Sequence, residues 1–340
     1  MKLIKWLYRV LNIVVIIGLA ISYLSPFIDP RIFWPISFFG LSFPMWLGLS
    51  MILMLVNLFM RSKFALYYLI TLTIGLPLIL RSVSFTKAEN VEAIDFKVAS
   101  FNTFSFGHTN NNSLTLDSVL REMDVDIALL YEWRRNRSKV KKQPFKYEAV
   151  IKRGVNTGLQ ILSKYPILQT EKITLNDPYS DAAFADVIVK GDTIRFYLLH
   201  LESNRLAPKD YHRLKDFELD SAYTEHAKGI MSRIKLGMKK RAGQVETIVD
   251  HMSKSPYPVI LGMDLNDTPQ SFAYQQLVKN KKDAFMEGGS GWEGTYVKPF
   301  PFLRIDYIMY DDAFKCQYYT STDRIFSDHK LIFAAFQFKK

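Results

Sequence analysis

The sequence predicts an α/β sandwich preceded by a small transmembrane helical region. Three observations predict it. Residues 1–87 are mostly apolar, whereas the remainder reads as an ordinary soluble domain. That remainder carries many short strand-like apolar runs and only a few helical ones, which favours a sandwich over a doubly wound βαβ sheet. A polar residue closes most of those runs, where a sheet can present it rigidly at one edge.

The charge is divided as unevenly as the hydropathy. The 340 residues carry a formal +11; residues 1–90 hold eight basic and two acidic residues, the rest 36 and 31. The surplus in the soluble part suits phosphate-bearing substrates and falls short of a dedicated nucleic-acid binder, whose cations gather on one face. The single cysteine, Cys316, excludes an intrachain disulfide and reads as a small buried hydrophobe.

These patterns divide the chain into a membrane anchor at 1–87 with about three transmembrane helices, a linker at 88–94 and a soluble domain at 95–340. The chain is uncharged between Arg9 and Asp29, between Arg31 and Arg61, and between Lys63 and Arg81. Within those intervals residues 10–24, 45–60 and 64–80 are the apolar cores, and about 20 helical residues span a bilayer. Trp6, Tyr23, Trp34, Trp46 and Tyr67 stand near the ends, as headgroup-level aromatics do. Pro35 and Pro44 belong before or at the start of the second span, and Pro77 late in the third. Lys2, Lys5, Arg9, Arg61 and Lys63 are the basic flanks, so the positive-inside rule places the N-terminus and the 61–63 turn in the cytoplasm. Three spans then carry the soluble domain outside. A cleaved signal peptide explains neither the later apolar stretches nor the missing small-x-small site after Leu24.

In the soluble part, strands are expected at 95–101, 127–131, 147–151, 158–163, 184–189, 193–199, 259–261, 306–310 and 331–337. Helices are expected at 114–123, 230–252 and 271–277, while 204–228 is polar and gives no clear pattern. No repeat, Walker glycine loop or Cys/His zinc spacing is present.

The polar residues at the strand ends are Asn102, Glu132, His200, Asp264 with Asn266, Asp306, and Asp328 with His329. Hydrolysing a phosphodiester needs charge neutralisation on the phosphate, an activated water and a protonated leaving group. Carboxylate and amide oxygens hold the hard cation that does the first, and carboxylate–histidine pairs do the others. Taken singly, each residue has a plainer reading: Asn102 a turn residue, Glu132 a solvated strand end, His200 a structural histidine. Their joint occurrence with apolar flanks reverses that weighting.

Six segments resemble the endonuclease/exonuclease/phosphatase (DNase I-like) superfamily, in its order, over about residues 95–338. They are Ser100-Phe101-Asn102, Leu130-Tyr131-Glu132, Leu159 to Lys164, Leu199-His200-Leu201, Gly262-Met263-Asp264-Leu265-Asn266, and Arg304-Ile305-Asp306-Tyr307 with Ser327-Asp328-His329. The resemblance implies a four-layer α/β sandwich and a metal-dependent phosphoesterase using Mg²⁺, with Mn²⁺ as a substitute. It implies that Glu132 is the principal metal ligand, helped by Asn102, with Asp328 close to the metal. It implies that Asp264 orients or deprotonates the attacking water and that Asn266 binds the phosphate or that water. It implies that Asp306 holds His329 against the phosphate and that His200 protonates the leaving group. Asn102, Asn266 and His200 are thus also the expected substrate contacts. Arg241 and Gln244 match a helix position that braces the fold. Phe104 and Tyr131 replace residues usual in the abasic-site repair branch and point to the His-containing one.

Three functions remain open on the sequence. One is a nuclease outside the cytoplasm. Another is a lipid or small-molecule phosphodiesterase, or a phosphomonoesterase of inositol-phosphatase type. The third is a membrane-tethered binding protein with a degenerate site, against which the intact acids and histidines count. The expected partners are a phosphate-bearing substrate and the bilayer, with no obligate protein partner. The basic run from Arg134 to Lys142 is a solvated loop or a substrate-phosphate contact, and Lys235, Lys239, Lys240 and Arg241 are a solvated helix face or a lipid contact.

Overall fold

A computed structural model describes residues 2–86, 93–104, 112–134, 144–152, 154, 157–175, 177–178, 180–206, 210, 221–297 and 300–339. Most of the expected linker at 88–94 and residues 135–142 of the basic run lie outside the described residues. The chain divides into two compact units: residues 1–82, 204–242 and 267–275 form one, and 83–203, 243–266 and 276–340 the other.

In the first unit, apolar sequence makes helices, and prolines break them. The stretch Lys2–Phe27 is long and apolar enough to cross a membrane. Pro30–Leu41 with Phe43–Phe59 is bent by 48°, and Phe64–Ile74 with Leu76–Ser82 by 62°, so up to three spans exist if each bent pair is one. Each irregularity precedes a proline by two residues: Phe33 leaves helical geometry before Pro35, the first break is at Ser42 before Pro44, and the second at Gly75 before Pro77. A proline ring crowds the backbone ahead of it and cannot donate to the preceding turn.

Consecutive apolar stretches run antiparallel. Val15 packs with Leu53 and Tyr68, and Leu19 with Phe43, Leu47 and Leu78. Asn57 Nδ2 donates to Asn12 Oδ1 at 2.6 Å, and the Tyr68 hydroxyl donates to the Asn12 carbonyl at 3.3 Å. Polar contacts of this kind pin helix register where no water competes. Lys2–Arg9 therefore shares an end with Arg61 and Lys63. At the other end, Thr268 Oγ1 donates to the Gly40 carbonyl at 3.3 Å, and Gln270 Nε2 donates to the Leu78 carbonyl and Ser82 Oγ, both at 3.0 Å. Arg241 joins Asp267 and Asn204 in the same unit, a buried brace.

The second unit is a sandwich of two mixed six-stranded sheets with a separate two-stranded ribbon, Val83–Phe85 against Ser290–Trp292. Its strands are β1 (Val83–Phe85), β2 (Phe96–Asn102), β3 (Ile127–Arg134), β4 (Tyr147–Lys152), β5 (Thr157–Ser163), β6 (Ile167–Ile173), β7 (Asp181–Val189), β8 (Asp192–His200), β9 (Val259–Asp264), β10 (Lys282–Asp283), β11 (Ser290–Trp292), β12 (Asp306–Tyr310), β13 (Phe314–Ser321) and β14 (Ile332–Phe338). One sheet runs β10-β12-β9-β8-β7-β6 and the other β13-β14-β2-β3-β5-β4. The apolar core lies between them: Val98, Leu129 and Ile161 from one sheet meet Ala185, Phe196 and Ile308 from the other. Leu116, Val119 and Leu120 of the helix Asn112–Glu122 cover the outer face of the second sheet. On the first sheet, His251 of the helix Ser221–Ser253 stacks near Phe184 and accepts or donates at 2.7 Å with the Tyr197 hydroxyl.

Strands β6 and β13 were not expected from the sequence. Both are edge strands of their sheets; β6 buries little beyond Ile173, so it offers no apolar alternation to read, whereas β13 does alternate through Phe314, Lys315 and Cys316.

Candidate active site

Strand topology gathers the polar strand ends. The pair β8–β9 is parallel and ends in register on His200 and Asp264, and antiparallel β12 begins opposite Asp264 with Asp306. In the facing sheet the parallel pair β2–β3 sets Asn102 beside Tyr131, with Glu132 next. Parallel neighbours deliver their C-terminal ends to one edge, so five side chains from two sheets reach a single patch.

Glu132 is aimed by a bulge. The β3–β5 register shifts between Leu130 and Trp133, and Glu132 has φ of +49°. A non-glycine residue in the left-handed region costs backbone energy and is held there by its surroundings. The bulge turns the carboxylate out of the pleat and toward the patch. Asn266, with φ of +55°, turns sharply after β9, and its backbone N–H donates to Asp264 Oδ1 at 2.9 Å.

The side chains form one connected cluster. Asn102 Nδ2 donates to Asp264 Oδ2 at 2.9 Å and to Glu132 Oε1 at 3.4 Å, while Asn102 Oδ1 accepts the Phe104 N–H at 2.9 Å. His200 Nε2 lies 3.3 Å from Glu132 Oε1 and 3.7 Å from Asp264 Oδ2. His329 Nε2 lies 3.7 Å from the same Asp264 oxygen, and its Nδ1 is 2.9 Å from Asp306 Oδ2. Asn266 Nδ2 donates to the Leu201 carbonyl at 3.1 Å, which fixes its amide plane. Asp328 is half-buried beside His329, its Oδ1 3.3 Å from Ser327 Oγ.

Proximity sets the ionisation. Burial works against the Glu132 charge, but the hydrogen bond and charge of His200, with Asn102 and His329, hold its carboxyl down at about 2. Burial likewise opposes the His329 imidazolium, yet Asp306, Asp264 and Asp328 raise it to about 10. Burial lowers His200, but the Glu132 hydrogen bond and the charges of Glu132, Asp264 and Asp181 leave it raised. Burial raises Asp264 against the pull of His329, with Asp306 adding to the rise. Asp328 is raised by burial, opposed by His329, with Glu132 and Asp264 adding to the rise.

Four carboxyl groups thus face two imidazoles in one small volume. Ligand atoms of Asp264, Asp306 and His329 lie within 4.8 Å of one another. Glu132 adds an ionised oxygen donor that retains 26% side-chain exposure. This donor set, rich in hard oxygens with an ionised carboxylate open to the patch, fits a hard divalent cation. Asn102 presents its NH₂ rather than its oxygen to the carboxylates.

Residues 99–329 match the endonuclease/exonuclease/phosphatase family. The chain belongs to that family. Its members are metal-dependent phosphoesterases, and this family member is an enzyme of that class. Residues 3–82 match a domain of unknown function, DUF8431. No curated protein matches the chain in sequence. Among solved structures, truncated TDP2 of Caenorhabditis elegans aligns with a TM-score of 0.53 at 18% identity, covering 74% of this chain and 100% of that one. An endonuclease/exonuclease/phosphatase of Beutenbergia cavernae DSM 12333 aligns at 0.52 and 16%, covering 72% of each. The TDP2 of D. rerio, solved with a single-strand DNA product, aligns at 0.52 and 15%, covering 71% and 98%. At these identities the likeness establishes the fold, a family sandwich of two mixed sheets.

Several supporting residues gave no motif in the sequence of this family member. Thr295 is fully buried; its Oγ1 accepts the N–H groups of Ile305 at 3.0 Å and Asp306 at 3.1 Å. Its carbonyl accepts the Lys330 N–H at 2.8 Å, so one residue ties the Asp306 strand to the segment of His329. The Tyr296 ring stands edge-on to His329 at 5.5 Å. Ser327 Oγ donates to the Asn102 carbonyl at 2.8 Å. Beneath the cluster the Tyr131 hydroxyl and Ser100 Oγ share a 2.9 Å hydrogen bond. A Cβ on Gly262 would come within 2.6 Å of that hydroxyl. Glycine here thus admits side chains of the facing sheet.

Proposed function

We propose that this chain is a membrane-anchored, Mg²⁺-dependent phosphodiesterase whose catalytic unit lies outside the cytoplasm. The observation that carries it is the single connected cluster of Asn102, Glu132, His200, Asp264, Asp306 and His329 at one sandwich edge. Glu132, with Asp328 nearby, would hold Mg²⁺, which when bound supplies charge neutralisation at the phosphate. Asn102 orients Glu132 and Asp264 through its NH₂. Asp264 accepts a proton from the attacking water at Oδ2. His329, held by Asp306 through Nδ1, presents Nε2 to the developing charge. His200 gives its Nε2 proton to the leaving oxygen. Asn266 offers its remaining amide hydrogen to the phosphate.

The anchor reading rests on the antiparallel helices of the first unit. The basic flanks Lys2–Arg9 and Arg61–Lys63 share one end, and the segments 204–242 and 267–275 attach at the other, away from those flanks. The substrate is a phosphodiester in nucleic acid, as the DNA product bound to D. rerio TDP2 favours, or in a lipid or small molecule, as a bilayer tether favours.

The test is a substrate panel with the detergent-solubilised full chain: double-stranded DNA, RNA, sphingomyelin, phosphatidylinositol phosphates and a bis-aryl phosphodiester. Turnover should vanish with EDTA and return with Mg²⁺ or Mn²⁺. Full turnover in rigorously metal-free protein defeats the proposal.

A further inference from the structure

We infer that the first part of the helix Ser221–Ser253, together with the chain around Trp34, forms a docking surface for the headgroups of anionic phospholipids. The inference rests on the anchor reading above and concerns the first unit alone.

The helix has two working sides up to Ala242. Ile230, Ile234 and Met238 are buried and pack against Phe38, Leu41 and Leu206. This fixes the helix along the segment that follows the first span. Lys235 and Lys239, one turn apart, occupy a different face. The Lys235 ammonium stands 5.6 Å from the centre of the Trp34 ring. An indole beside a span end is a headgroup-level group, so its cation neighbour sits at phosphate depth.

Cations gather around Trp34. Arg31 grips Asp29 through Nε and Nη2 at 2.6–3.1 Å, and Asp29 caps the helix Pro30–Leu41. Partial burial opposes the Asp29 charge, but Arg31, with Lys239 adding its field, holds that carboxyl below its usual range. Among the described residues, Asp29 is therefore met by Arg31 and by the field of Lys239, while Lys235 stands over the Trp34 ring. The surface also exposes large apolar groups: Phe27 at 63%, Ile32 at 83%, Phe33 at 53% and Leu236 at 50%. Apolar groups that enter the acyl boundary beside cations that meet phosphate are what an anionic leaflet binds. A solvated helix face explains the lysines but not the apolar groups around them.

The experiment reconstitutes the full chain in bilayer discs of phosphatidylcholine, with or without phosphatidylglycerol. It then measures the lipid retained on the protein by native mass spectrometry. The wild type should retain phosphatidylglycerol preferentially. A cation near the surface is worth about fivefold, so Lys235→Gln with Lys239→Gln should weaken that retention about 25-fold. Lys190→Gln with Lys282→Gln, an equal charge change in the other unit, should leave it unchanged. Equal retention of both lipids, or an equal loss in the control pair, overturns the inference and leaves the anchor standing. Failure of the full chain to enter any bilayer overturns both.

Discussion

Glu132 is the residue on which the proposed chemistry turns, because a strained bulge exists to aim it. Glu132→Ala or Asp264→Ala should reduce turnover at least ~10³-fold while leaving the melting temperature within a few degrees, since neither side chain packs the core. Wild-type turnover in either variant, on a confirmed substrate, would dispose of the site assignment. Thr295 acts at one remove. Thr295→Val keeps the shape but removes the acceptor for two buried N–H groups, at roughly 1–3 kcal/mol. It should lower kcat about tenfold or more with little change in KM, because Asp306 and His329 lose their shared tether. Thr295→Ser should restore kcat. Loss in Thr295→Ser with kcat kept in Thr295→Val would show that the methyl group, and not the hydroxyl, matters. The signals differ in kind: Asp306 and His329 stand in recognisable strings, whereas Thr295 occupies an ordinary loop, and only the fold gives it two catalytic neighbours.

At the scale of elements, register decides function. The parallel pair β8–β9 places His200 level with Asp264, and one residue of slip would send one of them into the core. The helix behind this sheet is fastened by the Tyr197–His251 hydrogen bond of 2.7 Å. Burial and the Arg195 charge hold the His251 imidazole below its usual range. Burial raises the Tyr197 hydroxyl to about 12, so it remains the donor to neutral Nδ1. A group with a depressed folded pKa contributes stability above its unfolded value near 6.5 and loses it as pH falls through the folded value. The midpoint of thermal unfolding, followed by near-ultraviolet circular dichroism, should therefore fall below pH ~6.5 in the wild type. In His251→Gln this segment of the profile should be flatter; an unchanged slope would assign the dependence elsewhere. The edge strand β6 makes the complementary point, being visible only through its partner β7.

At the scale of the whole molecule, the sequence separates an apolar quarter from a soluble remainder, and topology is the consequence to test. A periplasm-type reporter fused after Lys340 should be active and a cytoplasmic reporter silent; the reverse pattern refutes three crossings. By itself, the sequence determined the α/β class, the family and the row of polar residues that close its strands, because alternation, apolar length and short motifs are local properties. Tertiary structure alone decided that Asn102 offers its NH₂ rather than its oxygen, that Glu132 sits on a left-handed bulge, and that Thr295 joins the segments of Asp306 and His329. It also decided that proline bends two of the apolar stretches into paired helices. These features depend on which distant segments meet, and contacts across a sandwich or between helices leave no periodicity in the chain that makes them.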